Sequence, residues 1–347
     1  MFQPKYTITS ALLSNIKRIT ELVTELNGKH FPNVVLFDFE KKAREVSAHS
    51  STSIEGNPLP LTEVKRLLKN APEHIRDSER EVLNYNNALV YLNDLLKKKN
   101  ISFGLDIIIE IQKMVTDGLV GKFHSGKIRQ EPVFVNNPKT RQTVYFPPDH
   151  QDIIKLMDEL IGYVNNNKNK VDPLILAGIF HKQFVIIHPF IDGNGRTTRL
   201  ATKILLFNMG LDTFNLFSFE NYYNNNVTKY FQNVGLLGNY YDLKDEVDFT
   251  SWLEYFTGGV IDELLRVGGE LNKVKIEPEN KLQPYHQEIL NYIKKNGFIK
   301  DGDYAKITKR VRPTRYLDFK KLISLDLIER NGKGKNSYYI FRNKEEG

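Results

Sequence analysis

Between His188 and Leu200 the chain reads HPFIDGNGRTTRL, which puts a histidine, a carboxylate, two glycines around an asparagine and two arginines into one short run. His188 carries an imidazole whose unperturbed pKa, about 6.5, suits removal of a proton from a hydroxyl near neutral pH. Asp192 is the one acid in the run, and magnesium needs only one or two protein carboxylates when phosphates and water supply its other ligands. Gly193 and Gly195 allow backbone angles closed to other residues. Arg196 and Arg199 stand three apart in what should be the first turn of a helix, where cations oppose the dipole. A polyphosphate between them and the helix amides explains them better than helix stability does. Taken singly, these residues are a helix-end histidine, an Asx-turn acid, turn glycines and a solvated arginine face. Taken together they are the parts of a phosphoryl or nucleotidyl transfer site. The Gly-Lys-Ser/Thr ending of a Walker loop is absent, and two-metal nuclease chemistry would want more clustered carboxylates.

Two helices must position this run. Leu176–Ile187 is apolar enough to be buried, and Pro189 makes His188 a poor helical residue, so the first helix should end there. RTTRLATKILLF then restarts a helix whose N-terminal amides and dipole form an anion site. Apolar spacing predicts further helices in TITSALLSNIKRITELVTEL, with a threonine cap, and over 37–50, 61–68, 78–97, 105–119, 151–165, 173–187, 195–210, 219–236 and 249–267. The exception is EPVFVNNPKTRQTVYFPP, two β-prone runs around an Asn/Pro/Lys turn, which predicts a hairpin with an edge to be covered or to recruit a strand.

NKVKIEPENKLQP has two prolines and no apolar period, and predicts a linker over 272–284. Beyond it, 285–347 predicts three helices and a hairpin with a Gly-rich turn, the order of a winged helix. This tail holds 15 lysines and arginines against 8 acids, which is the whole formal excess of +7, so the body is charge-balanced. Thr314 would cap a recognition helix exposing Arg312, Arg315, Lys320 and Lys321, with NGKGKN as the wing tip, a surface that would suit DNA phosphates or a protein partner. A hydrophobic fraction of 40% supports a real core, and no apolar run is long enough to cross a bilayer. The absence of cysteine excludes disulfides and thiolate ligands and fits a reducing compartment; with no signal-peptide plan at the N-terminus, a cytoplasmic protein without membrane association is expected.

At His188, Phe190, Asp192, Gly193, Asn194, Gly195, Arg196 and Arg199 the sequence resembles the Fic family, whose signature His-x-Phe-x-Asp/Glu-Gly-Asn-Gly-Arg-x-x-Arg it matches without a departure. The resemblance extends upstream through GKIRQEPVFV and downstream toward ENYYNNNVTKYF, covering most of 8–271. It implies a mainly α fold: a Fic-type helical bundle with a β-hairpin flap, followed here by a small α+β winged-helix domain. The expected division is 1–100 as an N-terminal helical region, 101–271 as the Fic core, 272–284 as the linker and 285–347 as the winged helix. Most Fic proteins move AMP from ATP onto a protein hydroxyl. By that resemblance His188 is the base for a target Ser, Thr or Tyr, and Asp192 holds Mg²⁺ against the α- and β-phosphates. Gly193, Asn194, Gly195 and Arg196 cradle the phosphates and Arg199 grips the γ-phosphate. Val133, Phe134, Val135, Thr143, Val144 and Tyr145 belong to the flap that registers the target by strand addition, and Tyr223 and Tyr230 wall the adenine.

A second match lies far upstream. SSTSIEGN, at 50–57, resembles the inhibitory motif Ser/Thr-x-x-x-Glu-Gly/Asn of Fic proteins, with Ser51 and Glu55 at the matching positions and an inhibitory helix near 45–56. A carboxylate against Arg199 would remove the partner of the γ-phosphate. The expectation is a protein adenylyltransferase autoinhibited in cis or by a neighbouring protomer of a homodimer. Its target is a protein hydroxyl, on itself or another chain. The alternatives are a de-AMPylating or bifunctional Fic enzyme, a DNA-binding regulator that only senses nucleotide, or transfer of a group other than AMP.

Overall fold

The structure is a computed structural model that describes residues 2–70, 72–98, 102–136, 142–274, 282–325, 327–332, 334 and 337–342. The chain divides into two compact units, Met1–Lys29 with Lys42–Gly269, and His30–Lys41 with Glu270–Gly347.

The first unit is built from helices. α1 (Ser10–Asn27) starts where the hydroxyl of Thr9 accepts from the Leu12 amide, and its buried Leu12, Ile19, Leu22, Val23 and Leu26 form the expected stripe. α2 (Asn33–Ile54) begins in the second unit and ends in the first. α3 (Leu61–Lys69), α4 (Asp77–Lys97) and α5 (Leu105–Val115) follow, then β1 (Val135–Asn136) and β2 (Thr143–Phe146). α6 (Ile153–Asn167), α7 (Pro173–Ile187) and α8 (Asn194–Leu206) form the centre. α9 (Glu220–Asn225), α10 (Val227–Val234), β3 (Gly238–Asn239), α11 (Tyr240–Leu243) and α12 (Thr250–Lys273), whose last four residues are assigned to the second unit, complete it.

α7 is buried nearly all round, as an uninterrupted apolar run requires, and packs against α6 and α8. Gly178 lets α12 approach: a Cβ there would lie 2.6 Å from Leu253 Cδ2, and the Trp252 indole donates to the Gly178 carbonyl at 2.7 Å. α8 also packs on α4 and α5, so the glycine turn before it is seated on three helices.

Several boundaries differ from expectation for local reasons. α2 extends past both ends of 37–50. The helix expected over 105–119 stops at Val115, and Gly118 turns the chain at φ 66. The helix expected over 219–236 is two, because Asn226 takes φ −147 and its side chain instead caps α10 by accepting from the Lys229 amide. The expected linker over 272–284 is shortened by α12, which runs to Lys273, and by the next helix, which begins at Pro284; the residues between lie largely outside those described. The hairpin is present, with Val135 opposite Tyr145 and Asn136 opposite Thr143 across a bulge; its turn lies outside the described residues. Its inner edge is covered, because β3 pairs with β2 in parallel, and β1 and β3 are the outer strands of the sheet β1-β2-β3. No helix among the described residues is long and apolar enough to cross a membrane.

The second unit contains α13 (Pro284–Asn296), α14 (Asp301–Ile307), α15 (Arg312–Ser324) and the antiparallel pair β4 (Ile328–Asn331) and β5 (Tyr338–Phe341). Ile299 bridges to Tyr339, and Ile289, Leu290, Ile293, Phe319, Leu322 and Ile328 form its core. Phe37, from the His30–Lys41 segment, belongs to that core. α15 begins at Arg312 after Val311, so Thr314 lies inside the first turn and is not the cap. Of the four cations expected to be exposed there, Arg312 and Lys320 are exposed and Lys321 is half-buried. Arg315 is committed to Asp301 through two bonds of 2.8 Å. Val311, Tyr316 and Leu317 are exposed as well. Lys333, Lys335 and Asn336 of the expected wing tip lie outside the described residues.

Candidate active site

α7 delivers His188 at its C-terminal end, where the residue adopts a left-handed conformation at φ 51; among the described residues no other non-glycine has a positive φ. Pro189 blocks continuation of the helix, and a side chain held in this strained region is one whose direction the surrounding fold dictates. His188 Nδ1 lies 3.3 Å from the Val185 carbonyl, which leaves Nε2 as the outward nitrogen. Burial pushes the imidazole pKa down to about 4, against upward pulls from the Val185 carbonyl, Glu55 and Asp192. The ring is therefore neutral at pH 7 and able to accept a proton.

The turn that follows is shaped by Asn194. Its side-chain oxygen accepts from the Phe190 amide at 2.9 Å and its nitrogen donates to the Phe190 carbonyl at 2.8 Å, closing the loop on itself. Gly193 takes φ 78, and a Cβ there would meet Thr116 Cγ2 at 2.8 Å. Gly195 has a different constraint: a Cβ on it would fall 2.0 Å from Glu55 Oε1. The Glu55 carboxylate thus lies over the N-terminus of α8, the place where free amides and the dipole favour an anion.

Glu55 reaches this point from just beyond the end of α2. Arg199 Nη2 donates to Glu55 Oε1 at 2.7 Å and to the Ser51 carbonyl at 2.8 Å, while Nε donates to Ser51 Oγ at 2.7 Å. Ser51 is fully buried and Arg199 is 2% exposed. Burial works against the guanidinium charge, but Glu55 together with Tyr230 and Tyr85 outweighs it and holds the arginine firmly protonated. Among the described residues, Arg199 Nη1 and Thr197 Oγ1 are buried with no hydrogen-bond partner. α2 is fixed one turn earlier as well. Ser47 Oγ donates to Glu220 at 3.0 Å, Tyr85 donates to the same carboxylate at 2.8 Å, and Lys203 lies 3.6 Å from it.

Arg196 takes different partners from Arg199. Its guanidinium pairs with Glu81 at 2.8 Å and with Asp192 at 2.9 Å, at 4% side-chain exposure. Glu81 in turn accepts from Asn57 at 2.6 Å, and burial raises its pKa against the opposing charge of Arg196. Asp192 keeps 46% of its side chain exposed and is held through Oδ2. Among the described residues no three acids and histidines cluster as a self-sufficient metal cage. A single exposed carboxylate is the donor set of a cation that takes its other ligands from phosphate and water, so Asp192 fits Mg²⁺ delivered with a nucleotide.

The aromatic residues expected at the adenine lie inside the unit. Tyr223 and Tyr230 are 3% and 1% exposed and stack on each other with ring centres 4.7 Å apart. The Tyr230 hydroxyl lies 3.0 Å from His181 Nε2. In the flap, Phe134 and Thr143 are exposed and Val133, Val135 and Val144 half-buried. Tyr145 is buried, and its hydroxyl donates to the Ile186 carbonyl at 3.0 Å, which ties the flap to the end of α7.

Two residues without a role in the motif position it. Arg129 donates from Nε to the His188 carbonyl at 2.9 Å, from Nη1 to Glu131 at 3.0 Å and from Nη2 to Pro148 at 2.5 Å, and its amide donates to the Pro189 carbonyl. It thereby fastens His188 to both roots of the hairpin. Gln112 donates to the Asp192 carbonyl at 3.1 Å and accepts from the Gly126 amide. The string GKIRQEPVFV contains Arg129, but nothing in its composition distinguishes a carbonyl-binding arginine from a solvated one.

Residues 102–206 match the Fic/DOC family. A protein adenylyltransferase Fic of Aedes aegypti is 30% identical over 220 residues, covering 58% of this chain and 42% of that protein. The corresponding protein of Nematostella vectensis is 31% identical over 174 residues, 49% of this chain and 39% of that one. The chain spans less than half the length of these curated relatives. A crystal structure of a Fic family protein from Desulfovibrio desulfuricans G20 superposes over 100% of both chains with a TM-score of 0.64 at 21% identity. A Fic domain containing signaling protein from Bacteroides thetaiotaomicron gives 0.63 at 19% identity, over 76% of this chain and 98% of that one. The fold is thus mainly helical and of the Fic type.

Proposed function

We propose that the Fic/DOC domain at residues 102–206 makes this chain a protein adenylyltransferase, held inactive by its own Glu55. The reading is carried by the Glu55 carboxylate, which takes both the anion position over Gly195 and the guanidinium of Arg199. A segment that mimics a phosphate in this way has a purpose where a phosphate would otherwise bind.

With Glu55 withdrawn, the amides of Gly193, Asn194 and Gly195 receive the phosphates and Arg199 takes the γ-phosphate. His188 Nε2 accepts the proton of a Ser, Thr or Tyr hydroxyl as the oxygen attacks the α-phosphorus in line. The bond to the β-phosphate breaks, pyrophosphate leaves, and AMP remains on the target oxygen. Mg²⁺, held by Asp192, would neutralise charge on the α- and β-phosphates. Among the described residues β1 is an edge strand, and such an edge suits an extended target segment. The retained His188 separates this reading from a nucleotide sensor, which needs no base there.

The test is incubation of wild type, Glu55→Gly and His188→Ala with labelled ATP, UTP, GTP and CTP. Glu55→Gly should raise incorporation of labelled AMP by about tenfold or more, the equivalent of ~1.4 kcal/mol. His188→Ala should give none. A Glu55→Gly protein no more active than wild type would sink the inhibitory reading.

A further inference from the structure

One helix belongs to both units. The first turns of α2 lie in the second unit: Phe37 is buried in its core, with its ring 4.7 Å from that of Phe341. Glu40 forms an ion pair with Lys294, at 16% and 8% side-chain exposure. Lys41 donates to the Arg342 carbonyl at 3.3 Å. The last turns of the same helix carry Ser47, Ser51 and, directly after, Glu55, which bind Glu220 and Arg199.

The two halves differ in what makes them helical. The inhibitory half reads SAHSSTSI from Ser47 to Ile54, and five of its eight residues are Ser or Thr. Such side chains compete for backbone groups and are poor helix formers, as Thr52 illustrates by donating to the Ala48 carbonyl at 2.8 Å. Helix formation is cooperative, with a costly first turn and inexpensive propagation. Ser47, Ser50, Ser51 and Thr52 are buried against the first unit; with so little helix propensity of their own, the register that carries Glu55 to Arg199 also leans on the turns before them, and Phe37 anchors those turns in the core of the second unit.

We propose that Phe37 and Glu40 are positioning residues for Glu55, so that the packing of the second unit sets how firmly the inhibitor sits on Arg199. The inference rests on the adenylyltransferase reading for its functional meaning. Its structural claim stands separately: loosening the first half of α2 loosens the last. In this scheme the second unit is an input, and release of Arg199 is the output.

The experiment uses the full chain with Glu40→Gln, Phe37→Ala and the charge-exchanged pair Glu40→Lys/Lys294→Glu, each in wild-type and Glu55→Gly backgrounds. Hydrogen exchange of the Ser50–Glu55 amides and AMP incorporation are measured together. Glu40→Gln and Phe37→Ala should speed exchange at Ser50–Glu55 and raise incorporation by about fivefold, the low end for linked sites. The charge exchange should restore both, and neither variant should add to Glu55→Gly. Faster exchange confined to 35–42, with Ser50–Glu55 unchanged, overturns the proposal, as does an equal rise in the Glu55→Gly background. If Glu55→Gly alone raises no incorporation, the adenylyltransferase reading fails, while the exchange data still decide the coupling.

Discussion

The division of labour in the loop is sharpest between His188 and Arg129. The motif residues were legible because their chemistry is local: base, acid, glycine turn and arginines occupy one run. Arg129 was not, since its acceptors His188 and Pro148 lie 59 and 19 residues away and are backbone carbonyls, which any sequence supplies. Arg129→Lys should leave KM for ATP within about twofold in the Glu55→Gly background and lower kcat at least tenfold, because one ammonium cannot serve three carbonyls at fixed angles. Steady-state kinetics would check this, and a fall in ATP affinity instead would show that Arg129 acts on the nucleotide site. The His188 environment makes a second prediction. Burial lowers its pKa to about 4, so the base form survives as pH falls through the range where a free imidazole protonates. An ordinary histidine would keep about a tenth of its base form at pH 5.5. The Glu55→Gly protein should keep most of its kcat there, and a midpoint near pH 6.5 would refute the assignment.

At the scale of elements, α8 is defined by what its first turn cannot carry. A methyl group at Gly195 would strike Glu55 Oε1, and the same methyl would obstruct any phosphate oxygen that replaced it. Gly195→Ala should therefore relieve inhibition without yielding activity. In the Glu55→Gly background, calorimetry should show ATP binding weakened by about tenfold or more, whereas unchanged binding would place the phosphates elsewhere. Long helices were readable from apolar spacing, and α7 matched its expected ends at Pro173 and Ile187. The break at Asn226 and the strand β3 were not readable. One depends on a side chain choosing a cap, and the other on two residues pairing with a strand nearly a hundred positions earlier. The expected sheet edge was real but halved, because β3 covers β2. The cation face of the tail was likewise only half legible, since composition counts Arg315 but not its pairing with Asp301.

At the scale of the molecule, charge and order are distributed unevenly. The excess of +7 resides in the tail, yet its core takes in Phe37 from more than two hundred residues upstream, a grouping that no periodicity announces. The contact between Ser51, Glu55 and Arg199 lies within one chain. A tethered ligand meets its site at an effective concentration set by the tether, in the millimolar range for short flexible connections and higher for a helix already docked. Activity per mole of wild-type protein should then stay constant across a hundredfold dilution, whereas an inhibitor supplied by a neighbouring protomer would be lost and activity would climb. The carboxylate is also never diluted as ATP rises and falls, so nucleotide supply alone is a poor trigger. On the adenylyltransferase reading, the trigger is whatever loosens the tether.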